Sequence, residues 1–170
     1  MVEFALVAPL LLLLLFGVID FGRVIYIYIT INQAVSEGAR VAIRDSPLQP
    51  TNSDVETAVK SHAADVVLAN PCPNGPITTA TPPPSQGWIY ITEPDPPATV
   101  EQLSPTLENA PGGETWANAS GACSAKNRAH DHAPLQVTIR YNFAPFTPLI
   151  AQLTASGIVI SAAATYRTEY

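Results

Sequence analysis

The feature that most constrains this chain is a long apolar run near its start, from Phe4 to Ile31. Six consecutive leucines, Leu10–Leu15, lie in its first half, and its charged residues are Asp20 and Arg23. At 1.5 Å per residue a helix of about 28 residues reaches about 42 Å, which exceeds the roughly 30 Å hydrocarbon core of a bilayer. Lipid offers the backbone no hydrogen-bond partner, so such a segment must be helical. The run predicts a membrane-spanning helix.

A cleavable secretory signal is the obvious alternative for an apolar segment in this place. Such a signal needs a positively charged start, a short apolar region and a small-residue cleavage site. Here no Lys or Arg precedes Arg23, the apolar run exceeds the length of a signal, and no small-residue cleavage motif follows it closely. We therefore interpret the run as an anchor.

Three details of the run go beyond simple anchoring. Glu3 is an acid at the membrane edge, where a carboxylate is costly unless a positive group meets it. Pro9 lies inside the predicted helix, where it removes a backbone hydrogen bond and allows a bend. Asp20 and Arg23 are three residues apart, so they share a helix face and can pair. Each detail alone is ordinary, but together they define a narrower class of protein.

Two segments resemble the TadE-like pseudopilins, minor pilin-like proteins of the tight-adherence (Tad or Flp) pilus. The first is VEFALVAPLL at residues 2–11, followed by leucines and by GVIDFGR at residues 17–23. The second is ASGIVISAAATYRTE at residues 155–169, which is similar to the family's C-terminal strand and its closing Arg-x-Glu. The resemblance covers roughly residues 2–44 and 135–169, and the middle of the chain matches nothing that we would name.

This resemblance implies a non-enzymatic minor pilin or pseudopilin that takes part in assembly or capping of a Tad or type IV-related pilus. Its partners would be other pilin subunits, the inner-membrane assembly platform and membrane lipid, with no nucleic acid, small-molecule substrate or cofactor. The resemblance implies a protein that passes once through the bacterial inner membrane and has an extracytoplasmic domain. Incorporation of this protein into an extracellular pilus is a further expectation. The residues expected to carry assembly are Glu3, Phe4, Pro9, Asp20 and Arg23.

The resemblance implies that Glu3 takes the place of a glutamate of type IV-related pilins, which lies five residues after the leader cleavage point and meets the N-terminal amine of a neighbouring subunit. The chain departs from that pattern, because only two residues precede Glu3 and no basic leader ending in Gly is present. Three interpretations remain open: the true start lies upstream, the chain has been trimmed, or this protein is not processed in the usual way.

Composition excludes one function class and predicts one covalent link. The net charge is −6, from 14 acidic and 8 basic residues, so the chain lacks the basic surface that binds nucleic acid. Cys72 and Cys123 are the only cysteines. In an exported domain such a pair predicts a disulfide, whereas in a cytosolic domain both thiols would be free. Closing a loop of about 50 residues would contribute roughly 4 kcal/mol.

Helix patterns continue beyond the membrane segment. After Asn32 the sequence becomes amphipathic, and the first helix is expected to end near Asp45–Ser46, before Pro47. One face of this part of the helix is predicted to comprise Ile31, Val35, Gly38 and Ala42, and another Gln33, Glu37, Arg40 and Arg44. Ser53 and Glu56 have the spacing of a capping box for a second helix. Its buried stripe is predicted to comprise Val55, Val59, Ala63, Val66 and Val67, with Glu56, Lys60 and Asp65 facing water.

Three strands are predicted in the rest of the chain. Residues 71–127 form a proline-rich loop region with one strand at Trp88–Thr92, since 11 of the 17 prolines lie between Pro71 and Pro111. Residues 135–143 alternate between apolar and polar, which indicates a half-buried strand. A last strand is expected from residue 157 or 158 to Thr168. The predicted fold is α+β: a transmembrane and assembly helix (1–46) continuing into a small pilin-like extracytoplasmic domain (47–170) with a second helix and a short antiparallel sheet.

No active site is evident in the sequence. His130-Asp131-His132 is the one cluster that suggests a metal, but it lacks a third ligand at a recognisable spacing, so we expect a solvated loop and no metal. Arg167 and Glu169 are expected to be structural, with Arg167 reaching a helix carboxylate such as Glu37 or Asp45. Two other functions stay open. One is a membrane-anchored binding module unrelated to pili, and the other, disfavoured by the missing site, is a membrane-tethered enzyme.

Overall fold

The computed structural model describes residues 2–44, 50, 52–68, 81–92, 123–124, 134–154, 157–167 and 169. In chain order the elements are α1 (Val2–Ala42), α2 (Asn52–His62), β1 (Gln86–Thr92), β2 (Cys123–Ser124), β3 (Pro134–Phe143), α3 (Pro148–Leu153) and β4 (Ile158–Arg167). The α+β class is confirmed, with one long N-terminal helix, a second helix and an antiparallel sheet.

The sheet has the strand order β2-β1-β3-β4. β3 is central and antiparallel to both β1 and β4, with Ile139 opposite Ile89 on one side and Ala162 on the other. The predicted strands are therefore confirmed to within two residues at each end. β2 was not predicted; it is two residues long and pairs in parallel with β1 through Tyr90 and Cys123.

The hydrophobic core lies between this sheet and the helices α1 and α2. α1 packs against α2, β3 and β4, but only its C-terminal half takes part. The amphipathic pattern predicted this face correctly, because Ile31, Val35 and Ala42 are all buried. The small residues let the helices approach closely. At Gly38, an added Cβ would overlap with the Cγ2 atom of Val59 in α2.

Three predictions about α2 and the turn that follows it are wrong. α2 begins at Asn52, so Ser53 lies within the helix rather than capping it. Glu56 is buried instead of facing water. It lies next to the packed face, and the Nζ atom of Lys60 is 3.9 Å from its carboxylate oxygen Oε2. Val67 is exposed, because α2 ends at His62 and the helical period that predicted its burial no longer applies.

Burial along β3 is also more extensive than simple alternation predicts. The five apolar positions of the predicted strand face are buried, as expected, but Thr138 and Asn142 on the other face are buried too. Part of the second face of the sheet is therefore covered. Asn142 shows one way in which this happens, because its side-chain amide donates to the carbonyl of Pro82 at 2.8 Å.

Candidate functional site

The N-terminal half of α1 stands apart from the domain. Every side chain that the structure describes between Phe4 and Ile19 is exposed or half-exposed, and Phe4 is 78% exposed. The roughly 18 residues from Val2 to Ile19 reach about 27 Å as a helix, close to the thickness of a bilayer's hydrocarbon core. By length and composition, α1 is the one helix among the described residues that is able to cross a membrane. This free half, residues 2–19, is shorter than the span predicted from hydropathy alone.

The domain begins at Asp20, which is 3% exposed. Its carboxylate accepts hydrogen bonds from the backbone N–H groups of Phe146 at 3.0 Å and Thr147 at 2.9 Å. The Thr147 hydroxyl donates a third bond, at 2.7 Å. A buried charge is costly unless polar partners surround it, and this carboxylate has several. Asp20 therefore fixes the loop between β3 and α3 onto the helix.

Arg23 completes this contact from the next turn of α1. Its guanidinium lies 3.3 Å from the carboxylate of Asp20, which confirms the predicted pair. The same group lies over the rings of Phe146, at 3.9 Å from the centroid, and Phe143, at 5.0 Å. Cation–π contacts of this kind contribute about 0.5–2 kcal/mol, more when desolvated. Arg23 thus holds both an acid of its own helix and two aromatic residues of the C-terminal segment.

We call this cluster the Asp20 lock; it comprises Asp20, Arg23, Phe143, Phe146 and Thr147. The local sequence explains how it forms. Thr147 precedes Pro148 and occupies the N-cap of α3, and the first N–H groups of a helix have no partner within that helix. Asp20 supplies an acceptor from another helix. Sequence reasoning found Asp20 and Arg23 but missed Phe146 and Thr147, because two of the bonds come from backbone N–H groups, which no side-chain pattern distinguishes.

A second tie joins the helix to the domain one to two turns further along. The Tyr26 hydroxyl donates to the carboxylate of Asp65, which follows α2, at 2.8 Å. On the surface of α1, the Nε–H group of Arg40 donates to Oε2 of Glu37 at 2.8 Å. Among the described residues, no ion pair joins Glu37 to Arg167, and Asp45 lies outside the described residues. Arg167 is exposed, and its structural role stays a prediction.

The remaining predicted residues lie elsewhere. Glu3, Phe4 and Pro9 belong to the free half of α1, which runs through Pro9 as a single helix. The side chain of Glu3 lies outside the described residues. Glu169 is exposed, and its backbone N–H donates to the carbonyl of Ile43 at 3.2 Å, which ties the chain's end to the end of α1. The assembly roles of Glu3, Phe4 and Pro9 therefore stay predictions.

The cysteine and histidine predictions rest largely on undescribed segments. Cys123 lies in β2, but Cys72 lies outside the described residues, and the structure lends the predicted disulfide no support. His130, Asp131 and His132 also lie outside them. Within the described part of the chain, no three His, Cys, Asp or Glu side chains are close enough to hold a metal ion.

Two buried tyrosines in the sheet have perturbed acidity. Burial raises the pKa of Tyr90 to about 12, and the positive charge of Arg140 acts in the opposite direction. Burial also raises the pKa of Tyr141. The Tyr90 hydroxyl has no hydrogen-bond partner within the described part of the chain. Both rings therefore stay neutral well above physiological pH and serve the core rather than proton transfer.

These features define a class: an α+β domain built on the second half of one helix whose first half is apolar and free. Within that class, the family model described as "TadE-like protein" matches residues 1–40 of this chain. The match covers the free half of α1, the α1 residues of the Asp20 lock and most of the packed half, and it confirms the resemblance to the TadE-like family in this segment. A comparison with curated proteins found no match, and a comparison with solved structures found none.

Proposed function

We propose that this chain is a Tad pilus-associated minor pilin-like protein without enzymatic activity. The single observation that carries the proposal is the TadE-like match over residues 1–40, which coincides with the free apolar half of α1 and the start of the domain. In this account the free half lies in the inner membrane or packs with the helices of other pilin subunits. The domain stands on the extracytoplasmic side.

The two halves of the helix have different roles in this proposal. Glu3, Phe4 and Pro9 belong to the assembly half, where Glu3 meets a positive group of a neighbouring subunit. Two unlike charges gain far more from each other in an apolar medium than in water. The described bonds of Asp20 and Arg23, by contrast, are made within the chain. We therefore assign these two residues to holding the domain on the helix rather than to contacts with other subunits.

Replacing Glu3 tests the proposal. Glu3→Ala makes the segment more apolar, so the protein should still enter the membrane. Without the carboxylate, however, it should be lost from assembled complexes, with at least a tenfold lower yield in purified filaments or assembly-platform complexes. Quantitative immunoblotting of membrane and filament fractions measures both quantities.

Glu37→Ala is the matched control, since it removes a carboxylate from the exposed face of the same helix. That variant should be recovered in filaments at the wild-type level. Normal recovery of Glu3→Ala would contradict the assembly role, and failure of the wild-type chain to associate with filaments or their platform would contradict the pilin proposal itself.

The alternative of a membrane-anchored binding module depends on residues 71–127. Of that segment the structure describes only residues 81–92 and 123–124, which are strands and the turn before β1. Nothing on those residues favours a particular partner. The filament experiment separates the two functions, because a module unrelated to pili would be absent from filaments whether or not Glu3 is intact.

A further inference from the structure

Phe146 is exposed at an unusual place for an aromatic ring. It is 72% exposed, although its backbone N–H is bonded to the buried Asp20 and one side of its ring is covered by Arg23. The contact orders Phe146 beside α1 while leaving most of its apolar surface available.

The bond to Asp20 places Phe146 at a defined height along the helix. From Glu3, the acid that precedes the apolar run, to Asp20 the helix axis advances about 26 Å, so a hydrocarbon core of roughly 30 Å whose first edge lies near Glu3 ends close to Asp20. Phe146 therefore lies where the core would meet the headgroups. Arg23, one turn further on and partly exposed, is at the level of the lipid phosphates, and long basic side chains commonly extend there.

The sequence around Phe146 is compatible with lipid over a long stretch. Residues 141–166 contain no charged side chain, and they include the end of β3, all of α3 and most of β4. Within α3 the described side chains Ala151 and Gln152 are exposed and uncharged. Residues 141–166 therefore carry no charge that would have to be removed from water.

We propose that Phe146 and α3 form a membrane-contacting foot, in which the domain inserts Phe146 into the lipid interface beside its own anchor. The occupant of this surface is phospholipid: acyl chain against the ring, and phosphate against Arg23. The proposal rests on the proposed membrane anchoring of α1. It adds a second contact with the bilayer, which would fix the tilt of the domain relative to the membrane.

Photocrosslinking in lipid bilayers tests the foot. Phe146 is replaced by p-benzoyl-phenylalanine, which keeps the aromatic ring, in the full chain reconstituted into phosphatidylethanolamine/phosphatidylglycerol nanodiscs. After irradiation, mass spectrometry should detect phospholipid adducts at position 146. Tyr166, an exposed aromatic residue near the opposite end of β4, is the matched control, and the same probe there should give at least fivefold fewer lipid adducts.

A probe at Leu12, in the free half of α1, separates the foot from the anchor. Lipid adducts at positions 12 and 146 support both proposals. Adducts at 12 but not at 146, or adducts from 146 to another protein or a second copy of this chain, overturn the foot and leave the anchor standing. Absence of lipid adducts at 12 overturns the anchor, and the foot with it.

Discussion

At the scale of single residues, Asp20 is the most informative side chain in the molecule. In the sequence it is a costly acid inside an apolar run, with a possible partner in Arg23. In the structure it accepts from two backbone amides and one hydroxyl of a segment about 126 positions later. Asp20 thus marks the point at which α1 enters the domain, and in the proposed account it is also the point at which the helix leaves the lipid.

Removing the Asp20 carboxylate should destabilise the domain. Asp20→Ala leaves the amides of Phe146 and Thr147 without their acceptor and should lower the free energy of unfolding by about 2–4 kcal/mol. Asp20→Asn keeps one acceptor oxygen but presents an N–H₂ group to the second amide, so its loss should be intermediate. Thermal unfolding in detergent micelles, followed by near-ultraviolet circular dichroism, measures both.

The exposed pair of Glu37 and Arg40 supplies the comparison for this experiment. Surface pairs of this kind contribute about 0–1 kcal/mol, so Glu37→Ala should hardly change the melting temperature. If Asp20→Ala proved as mild as Glu37→Ala, the Asp20 lock would not hold the domain on the helix.

Tyr90 gives a prediction about pH. Its pKa is raised from 10 to about 12 by burial, so the folded state holds the phenolic proton more tightly than the unfolded state does. The resulting stability is fully present below pH 10 and is lost as the pH rises towards 12. Over those two units the loss is about 2–3 kcal/mol. About half of that loss is expected by pH 11, and Tyr90→Phe should remove most of it, as measured by urea unfolding at pH 9, 10 and 11.

At neutral pH the same substitution should be neutral or stabilising by about 1 kcal/mol, because it deletes a buried hydroxyl that has no partner among the described residues. Tyr141→Phe, which removes the other buried phenol, is the matched variant for the alkaline series. An unchanged alkaline loss in Tyr90→Phe would show that Tyr90 does not titrate as described.

At the scale of elements, α1 is one helix that serves two environments. Hydropathy and the amphipathic pattern predicted both its length and its packed face, because these depend on local composition and on the 3.6-residue period. They did not predict where the lipid-facing part ends. Ile25, Tyr26, Tyr28 and Ile29 remain exposed on one side of the helix while Ile27 is buried on the other, so an average over the sequence cannot find the boundary.

Close packing between α1 and α2 can be tested at Gly38. An Ala there gains up to about 1 kcal/mol of helix propensity, but its Cβ would overlap with Val59, a cost of about 1–3 kcal/mol in a packed core. We expect Gly38→Ala to lower the melting temperature of the protein in micelles. Adding Val59→Ala should reverse part of that loss, because it removes the Cγ2 atom that the new methyl meets.

Gly22→Ala is the control on the same helix, where no atom lies within 4 Å of the added Cβ. It should be neutral or stabilising. Equal effects of Gly38→Ala and Gly22→Ala would mean that α2 does not approach α1 as closely as described.

At the scale of the whole molecule, the sequence predicted the class of fold and three of the four strands, since alternation and β-branched residues are local signals. It did not predict that the C-terminal loop would close on the N-terminal helix. Two partners of Asp20 are backbone N–H groups, which every residue except proline has, and no pattern of side chains reveals which of them will be free. The prediction that Glu56 faces water failed for a related reason. Its burial depends on how α2 packs in the domain rather than on its own polarity.

The resulting molecule is a domain attached to α1 at two points that lie far apart along the helix. The Asp20 lock holds the β3–α3 loop where the free half of α1 ends, and Glu169 is bonded to Ile43 at the other end of the helix. Attachment at two distant points leaves the domain little freedom to rotate about the helix. For a proposed subunit of an assembly, movement of the helix is then transmitted directly to the displayed domain.

The most direct test of this account is the depth of α1 in a bilayer, measured residue by residue. Single Trp substitutions at the exposed positions Leu10, Leu14, Val18 and Ile29 are placed in the full chain, and quenching by brominated phospholipids is compared with that of the unsubstituted protein. We predict strong quenching at 10 and 14, weaker quenching at 18 and almost none at 29. Equal quenching at 14 and 29, or a maximum at 29, would contradict a membrane boundary at Asp20.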